Sequence, residues 1–240
     1  LDESYEGVLR QLLNSSTNRA VVELFFMHKD GHNAQPEQTL LGRHYGLPMI
    51  SFRDAVWPEL ESGRLKWETI YDDVVHPNDA GHDIASGLLR GFLDAALAGL
   101  PENDRDLPTF APVPAPLISD TFEHCTLFRA ADLKPLASQG WTCVNSNVWE
   151  CGSAGGRLEY DVPGTVLMLG RSIPEVAANR VDIIVDGGEP QPVSRAGHNL
   201  PIARGLPKGL HRVAVVVRPF EVADDKAEKV RIWWGGGAGL

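Results

Sequence analysis

Apolar residues recur along this chain with two different periods, and the change from one to the other divides it. From Ser4 to Leu13 ("SYEGVLRQLL"), Tyr5, Val8, Leu9, Leu12 and Leu13 fall on one face at a helical spacing, with Ser4 as the predicted N-cap. Ala20 to Met27 ("AVVELFFM") is a short, nearly continuous apolar run rich in β-formers, the pattern of a buried parallel strand. Gln35 to Tyr45 predicts a helix ended by Gly46, Leu47 to Phe52 ("LPMISF") another strand, and "RDAVWPEL" a short helix. Asn78 to Leu97 is the longest helical pattern. Strands alternating with helices argue for βαβ units, an α/β architecture whose sheet is covered on both faces.

Leu100 to Leu117 breaks this period: it carries five prolines and predicts an extended linker. Beyond it no strong helix is visible. Short β-like runs follow at turn-separated intervals: "GWTCVNSNVWEC", "GRLEYDV", "TVLMLGRS", "RVDIIVDG", "LHRVAVVVRPF" and "KVRIWWG". Pro163-Gly164 and Gly187-Gly188 mark turns between them. This grammar predicts an all-β antiparallel sandwich of jelly-roll type. The expected organisation is an α/β segment over residues 1–99, a Pro-rich linker over 100–117, a β-sandwich over 118–236 and a loose tail over 237–240, taken from "GGGAGL". No internal repeat is present.

Composition adds exclusions. The chain has 240 residues, of which 43% are hydrophobic, enough for one large domain or two modest ones with real cores. Its formal net charge of -10 argues against a nucleic-acid or anionic-membrane partner, since no basic cluster offsets phosphate repulsion. No apolar run approaches the roughly 20 residues that span a bilayer. The sequence begins at Leu1 rather than Met, as in a processed, truncated or excised chain, so the lack of a signal-peptide stretch in "LDESYEGVLR" says little about compartment. Cys125, Cys143 and Cys151 lack the paired spacing of a zinc site. A Cys143–Cys151 bridge across a hairpin and three unbridged thiols both fit.

One stretch carries chemistry: Tyr71 to Ile84, "YDDVVHPNDAGHDI". Asp73 stands three residues before His76, and Pro77 stops any helix from running back through that histidine. The spacing suits a catalytic acid-base pair, and it equally suits a loop histidine beside an acid at a helix entrance. Asp79 and His82 repeat the same Asp-x-x-His spacing, but they fall inside the first helical turn, with Asn78 or Asp79 as its cap. A metal site built from His76, Asp79, His82 and Asp83 would follow no recurrent ligand pattern.

With its flanks, this block resembles a known family. Residues 1 to about 98 resemble the C-terminal half of an SGNH (GDSL-type) hydrolase domain, through "SYEGVLRQLL", "AVVELFF", "RHYGLPMISFRDAV" and above all "DDVVHPNDAGH". Gly63, Trp67 and Asp73 together are similar to the carbohydrate-esterase branch. The resemblance implies part of a flavodoxin-like three-layer sandwich with a parallel sheet. It gives His76 the role of general base and Asp73 that of orienting acid, with no metal or organic cofactor. The chemistry agrees: a base must take a proton from a serine hydroxyl and return it to the leaving alcohol, and a carboxylate on its second nitrogen fixes the tautomer.

The family's Gly-Asp-Ser nucleophile block and its oxyanion Gly and Asn precede the region matched here. Ser153 and Ser172 lie among the β-like runs without a strand–Ser–helix context, Ser86 is on the long helix, and Ser51 has no glycine elbow. The expectation is a serine esterase acting on short acyl, chiefly acetyl, esters of carbohydrate, completed by a companion segment bearing Gly-Asp-Ser. Such an enzyme would meet polysaccharide outside the cell. The alternative is a non-catalytic carbohydrate-binding or scaffold module derived from such a hydrolase. Trp141, Trp149, Trp233 and Trp234 are candidates for stacking on sugar rings, against the commoner fate of packing in the sandwich core; His211 is expected to be structural.

Overall fold

The structure, a computed structural model, describes residues 2–15, 20–100, 112–193, 201–223 and 228–239. Residues 101–111, most of the predicted linker, and Leu240 of the predicted tail lie outside the described residues. The chain divides into two compact units, Leu1–Ser119 and Asp120–Leu240.

The first unit alternates helix and strand as the periodicity requires. Helix α1 (Glu3–Leu13) is capped by Asp2, not Ser4: the Asp2 carboxylate accepts the Ser4 backbone N–H at 2.8 Å and its hydroxyl at 2.6 Å. A carboxylate is the better cap here, because it also opposes the positive end of the helix dipole. Strand β1 (Glu23–Phe25), helix α2 (Gln35–His44), strand β2 (Met49–Ser51), helix α3 (Phe52–Glu61) and helix α4 (Asp79–Ala98) follow. β1 and β2 pair in parallel, Glu23 opposite Met49. Among the described residues this is the whole parallel ladder, so the unit is α/β with two parallel strands. Phe52, Val56, Ile70, Tyr71, Met27, Trp67 and Ala85 form one core between β1, α3 and α4; Leu9, Leu41, Tyr45 and Leu47 form a second between α1 and α2.

The predicted linker is in part a docked segment. The buried Glu6 carboxylate accepts three consecutive backbone N–H groups, from Leu117 (2.6 Å), Ile118 (2.8 Å) and Ser119 (2.9 Å), and the Tyr45 hydroxyl at 2.5 Å. Arg10 donates to the Pro114 carbonyl at 2.7 Å, and His44 Nε2 lies 2.7 Å from that of Ala115. Burial alone would raise the Glu6 carboxyl, but the hydrogen bonds from Tyr45 and from these three amides outweigh it and hold it below the usual Glu value. Proline content suggested a spacer; the prolines instead leave few amides, and those at residues 117–119 find one carboxylate.

The second unit is a two-sheet antiparallel sandwich built from β3 (Cys125–Arg129), β4 (Ala137–Gln139), β5 (Trp141–Val144), β6 (Val148–Cys151), β7 (Gly156–Pro163), β8 (Val166–Ser172), β9 (Val181–Val185), β10 (Gln191–Pro192), β11 (Pro201–Ala203), β12 (Leu210–Val217) and β13 (Val230–Ala238). One sheet runs β10-β9-β12-β7-β4 and the other β11-β8-β13-β6-β5, with β3 also paired to β13. Leu158, Tyr160, Val213 and Val215 from the first sheet meet Leu167, Leu169, Val230 and Ile232 from the second in one core. Alternation along β7 and β12 places these side chains inward.

One sequence expectation changes and one open alternative is decided. The tail is not loose at its start: Gly237 and Ala238 belong to β13, pairing with Thr126 and Cys125 on β3 and with Leu167 and Val166 on β8. Glycine there serves close packing, since a Cβ at Gly237 would collide with the Pro163 carbonyl oxygen. Of the two cysteine arrangements left open, the structure has the unbridged one: Cys125 is exposed, Cys143 half-buried and Cys151 buried, all free. Among the described residues no helix is long and apolar enough to cross a membrane.

Candidate active site

The Tyr71–Asn78 loop joins a short 3-10 turn (Trp67–Thr69) to α4 and follows the core residues Ile70 and Tyr71. It is closed on itself and tied to its surroundings. Tyr71 and Pro77 form an antiparallel bridge, the Asp72 N–H donates to the His76 carbonyl at 2.9 Å, and the Asn78 N–H to that of Ile70 at 3.1 Å. The Lys29 N–H, just beyond the end of β1, donates to the Val74 carbonyl at 2.9 Å. Trp67 donates its indole N–H to the Asp73 carbonyl at 2.7 Å and stacks on Tyr71 with ring centroids 3.8 Å apart. The Tyr71 hydroxyl donates to the Met27 carbonyl at 3.2 Å. The loop is therefore fixed beside the carboxyl end of β1, where open α/β sheets commonly hold their ligands.

Within this frame the two predicted residues meet. Asp73 Oδ2 lies 2.7 Å from His76 Nδ1, while Asp73 Oδ1 accepts the backbone N–H groups of Val75 and His76, each at 2.8 Å. The Val75 amide, the His76 ring and the His76 amide together lower the Asp73 carboxyl to about 2. Asp73 is therefore ionised at neutral pH and can only accept, which puts a proton on Nδ1 and leaves the Nε2 lone pair for another partner. Three-quarters of the His76 side chain is exposed. Among the described residues, its one side-chain hydrogen bond is to Asp73. An imidazole in this state can take a proton from an incoming hydroxyl, with a fixed anion ready to stabilise the resulting imidazolium.

The second Asp-x-x-His does not form a pair. Asn78 is the cap of α4, its side chain accepting the Gly81 N–H at 3.2 Å, and Asp79 and His82 lie exposed in the first turn with no bond between them. Among the described residues no three His, Cys, Asp or Glu side chains gather as a metal site. Ser51 is engaged as the cap of α3: its hydroxyl donates to Gln35 at 2.7 Å and accepts the Asp54 N–H at 3.0 Å. Ser86 lies on α4, Ser172 ends β8, and Ser153 lies in the second unit.

A second histidine–carboxylate pair escapes sequence reasoning. In the sandwich, buried His211 has Nδ1 at 2.6 Å from Asp186 and Nε2 at 2.8 Å from the Pro207 carbonyl. Both partners are acceptors, so the site favours a ring that donates from both nitrogens, the imidazolium form. The Asp186 bond, then the Pro207 bond, raise the His211 value. With neither nitrogen available, this ring holds the fold and cannot act as a base.

No protein-family model and no curated protein matches the sequence. Among solved structures, the crystal structure of a two-domain esterase (CEX) active on acetylated mannans aligns with a TM-score of 0.82 at 24% identity, covering 99% of this chain and 70% of that one. The same esterase co-crystallized with mannopentaose gives a TM-score of 0.81 and covers 69% of that chain. A family two carbohydrate esterase from Cellvibrio japonicus, at 16% identity over 49% of this chain and 34% of that one, reaches a TM-score of 0.38 and adds nothing to the argument. The chain thus shares the fold of the two-domain esterase along nearly its whole length.

Proposed function

We propose that residues 1–119 carry the acid–base half of an SGNH-type serine esterase that removes short acyl groups, acetyl foremost, from carbohydrate. The observation that carries this reading is the Asp73–His76 pair: 2.7 Å apart, the acid ionised, the His76 side chain three-quarters exposed. The fold shared with an esterase described as active on acetylated mannans supports the substrate class. In the proposed reaction a serine Oγ–H gives its proton to His76 Nε2 as the oxygen attacks the ester carbonyl. The imidazolium, steadied by Asp73, then protonates the departing sugar oxygen as the carbon–oxygen bond breaks. Water repeats the cycle on the acyl-serine and releases the acid.

The serine and the oxyanion donors belong, in this reading, to a companion segment carrying a Gly-Asp-Ser block. That segment would also extend the β1–β2 ladder towards the full three-layer parallel sheet, since two paired strands make a weak sheet. Polysaccharide substrates place the enzyme outside the cell. One observation favours the rival reading, a carbohydrate-binding or scaffold module: among the described residues no serine hydroxyl bonds to His76.

The test is hydrolysis of 4-nitrophenyl acetate and of acetylated manno-oligosaccharide by the complete protein. His76→Ala should lower kcat by about a thousandfold or more, and Asp73→Asn by a comparable factor through the wrong tautomer. Undiminished activity in His76→Ala removes the acid–base assignment. Full activity in a preparation whose intact mass shows this chain alone removes the companion segment but not His76. Binding of acetylated glycan without turnover selects the scaffold reading.

A further inference from the structure

We infer that the sandwich unit carries a carbohydrate-binding subsite of its own, centred on Trp233, that takes a neutral pyranose of a polysaccharide chain. The four tryptophans of the unit have different fates. Trp141 is buried in the core, and Trp149 is half-buried with its indole N–H donated to the Ala130 carbonyl at 3.0 Å. Trp234 lies against Gly170 on the neighbouring strand, where a Cβ would collide with its indole ring. Trp233 alone is turned outward, 42% exposed.

That exposure is built into the strand. Along β13 the register with β8 runs Ile232 opposite Arg171 and then Trp234 opposite Gly170, so Trp233 is the extra residue of a β-bulge. A bulge re-aims one side chain without breaking the strand, and the Trp233 carbonyl remains tied by the Ala130 N–H at 3.0 Å. The indole walls a hollow of about 340 Å³ with Arg129, Ala131, Ser146 and Asn147. Ser146 and Asn147 on its polar rim belong to a closed turn. The β5–β6 connection is a tight turn closed by the Asn147 N–H on the Val144 carbonyl at 3.1 Å, with Asn145 and Ser146 at φ 51° and 55°.

An exposed indole face beside an amide, a hydroxyl and a guanidinium matches the two sides of a sugar ring. Axial C–H groups stack on the indole, while equatorial hydroxyls reach planar donors and acceptors. The rim also selects for charge. Arg129 is paired with Asp132 at 3.2 Å, so the hollow presents no uncompensated cation, and the chain's net charge of -10 repels polyanions. A neutral glycan fits; a polyuronate or a nucleic acid does not. This inference does not depend on the acid–base reading of Asp73 and His76.

The experiment is calorimetric titration of the full chain with mannopentaose, cellopentaose and penta-galacturonate, none of which carries an ester that the proposed reaction could cleave. At least one neutral pentasaccharide should bind and penta-galacturonate should not. Trp233→Ala should weaken that binding by about tenfold or more and Trp233→Phe by less. Asn147→Ala, which leaves the aromatic wall in place, should weaken it several-fold with an unchanged melting temperature. Failure of both neutral sugars to bind, equal binding by wild type and Trp233→Ala, or a preference for penta-galacturonate would each overturn the assignment.

Discussion

Trp67 makes one hydrogen bond that bears directly on the acid of the proposed dyad: its indole N–H holds the Asp73 carbonyl at 2.7 Å while its ring lies flat on Tyr71. These two contacts can be separated. Trp67→Phe keeps an aromatic face on Tyr71 and removes the donor, so the complete protein should lose about tenfold in kcat with KM little changed. Unchanged kcat would mean that the Lys29 and Asp72 amides suffice to hold the loop. At this scale the sequence revealed what is contiguous. Asp73 and His76 stand three residues apart, and Pro77 after them marks a loop entering a helix. It did not reveal the Lys29 amide on Val74, because backbone donors have no residue type. Nor did it reveal Asp186 as the partner of His211, because neighbours across two adjacent strands, 25 positions apart, leave no local pattern.

Elements were more legible than their ends. Among the described residues, the four α-helices and the two parallel strands lie where the apolar period placed them, because burial on one face imposes that period whatever the partner. Ends depend on hydrogen bonds that two neighbouring residues can compete to make, as Asp2 and Ser4 do at α1. The strand at 230–238 was misjudged at its end because glycine composition looked like a tail, whereas those glycines admit the Pro163 carbonyl and the neighbouring strands. Helix α4 offers a controlled test. Gly81 sits in its first turn against the Ile70 carbonyl, leaving no room for a methyl, while Gly87 has open space around it. Gly81→Ala should destabilise the protein by about 1–3 kcal/mol and disturb the Asn78–Ile70 bond that closes the Tyr71–Asn78 loop. Gly87→Ala should stabilise it by about 0.5–1 kcal/mol through helix propensity alone. Paired thermal melts check both, and equal effects of the two changes would show that the Ile70 contact does not constrain the helix.

For the whole molecule, the two apolar periods of the sequence correspond to two units with separate cores, and each unit hides a titratable group that ties its stability to pH. In Leu1–Ser119 the Glu6 carboxyl is held below its usual value, so its contribution is fully present above about pH 4.5 and is lost as pH falls through the lowered value. In Asp120–Leu240 the sign is opposite. The His211 value is raised from near 6.5, so folding favours the protonated ring. That contribution is complete below 6.5 and disappears as pH rises through the raised value, because a neutral ring cannot donate to both Asp186 and Pro207. Asp186 is lowered by the same bond, so the pair also weakens at the acid end as its carboxylate is protonated. From pH 6.5 up through the raised His211 value, stability should therefore fall as pH rises. His211→Gln retains one donor and cannot titrate. Wild type should therefore lose melting temperature steadily across that range, while His211→Gln should start lower and stay flat. A wild-type profile without slope, or a variant that keeps it, would mean that the ring does not gain its second proton on folding.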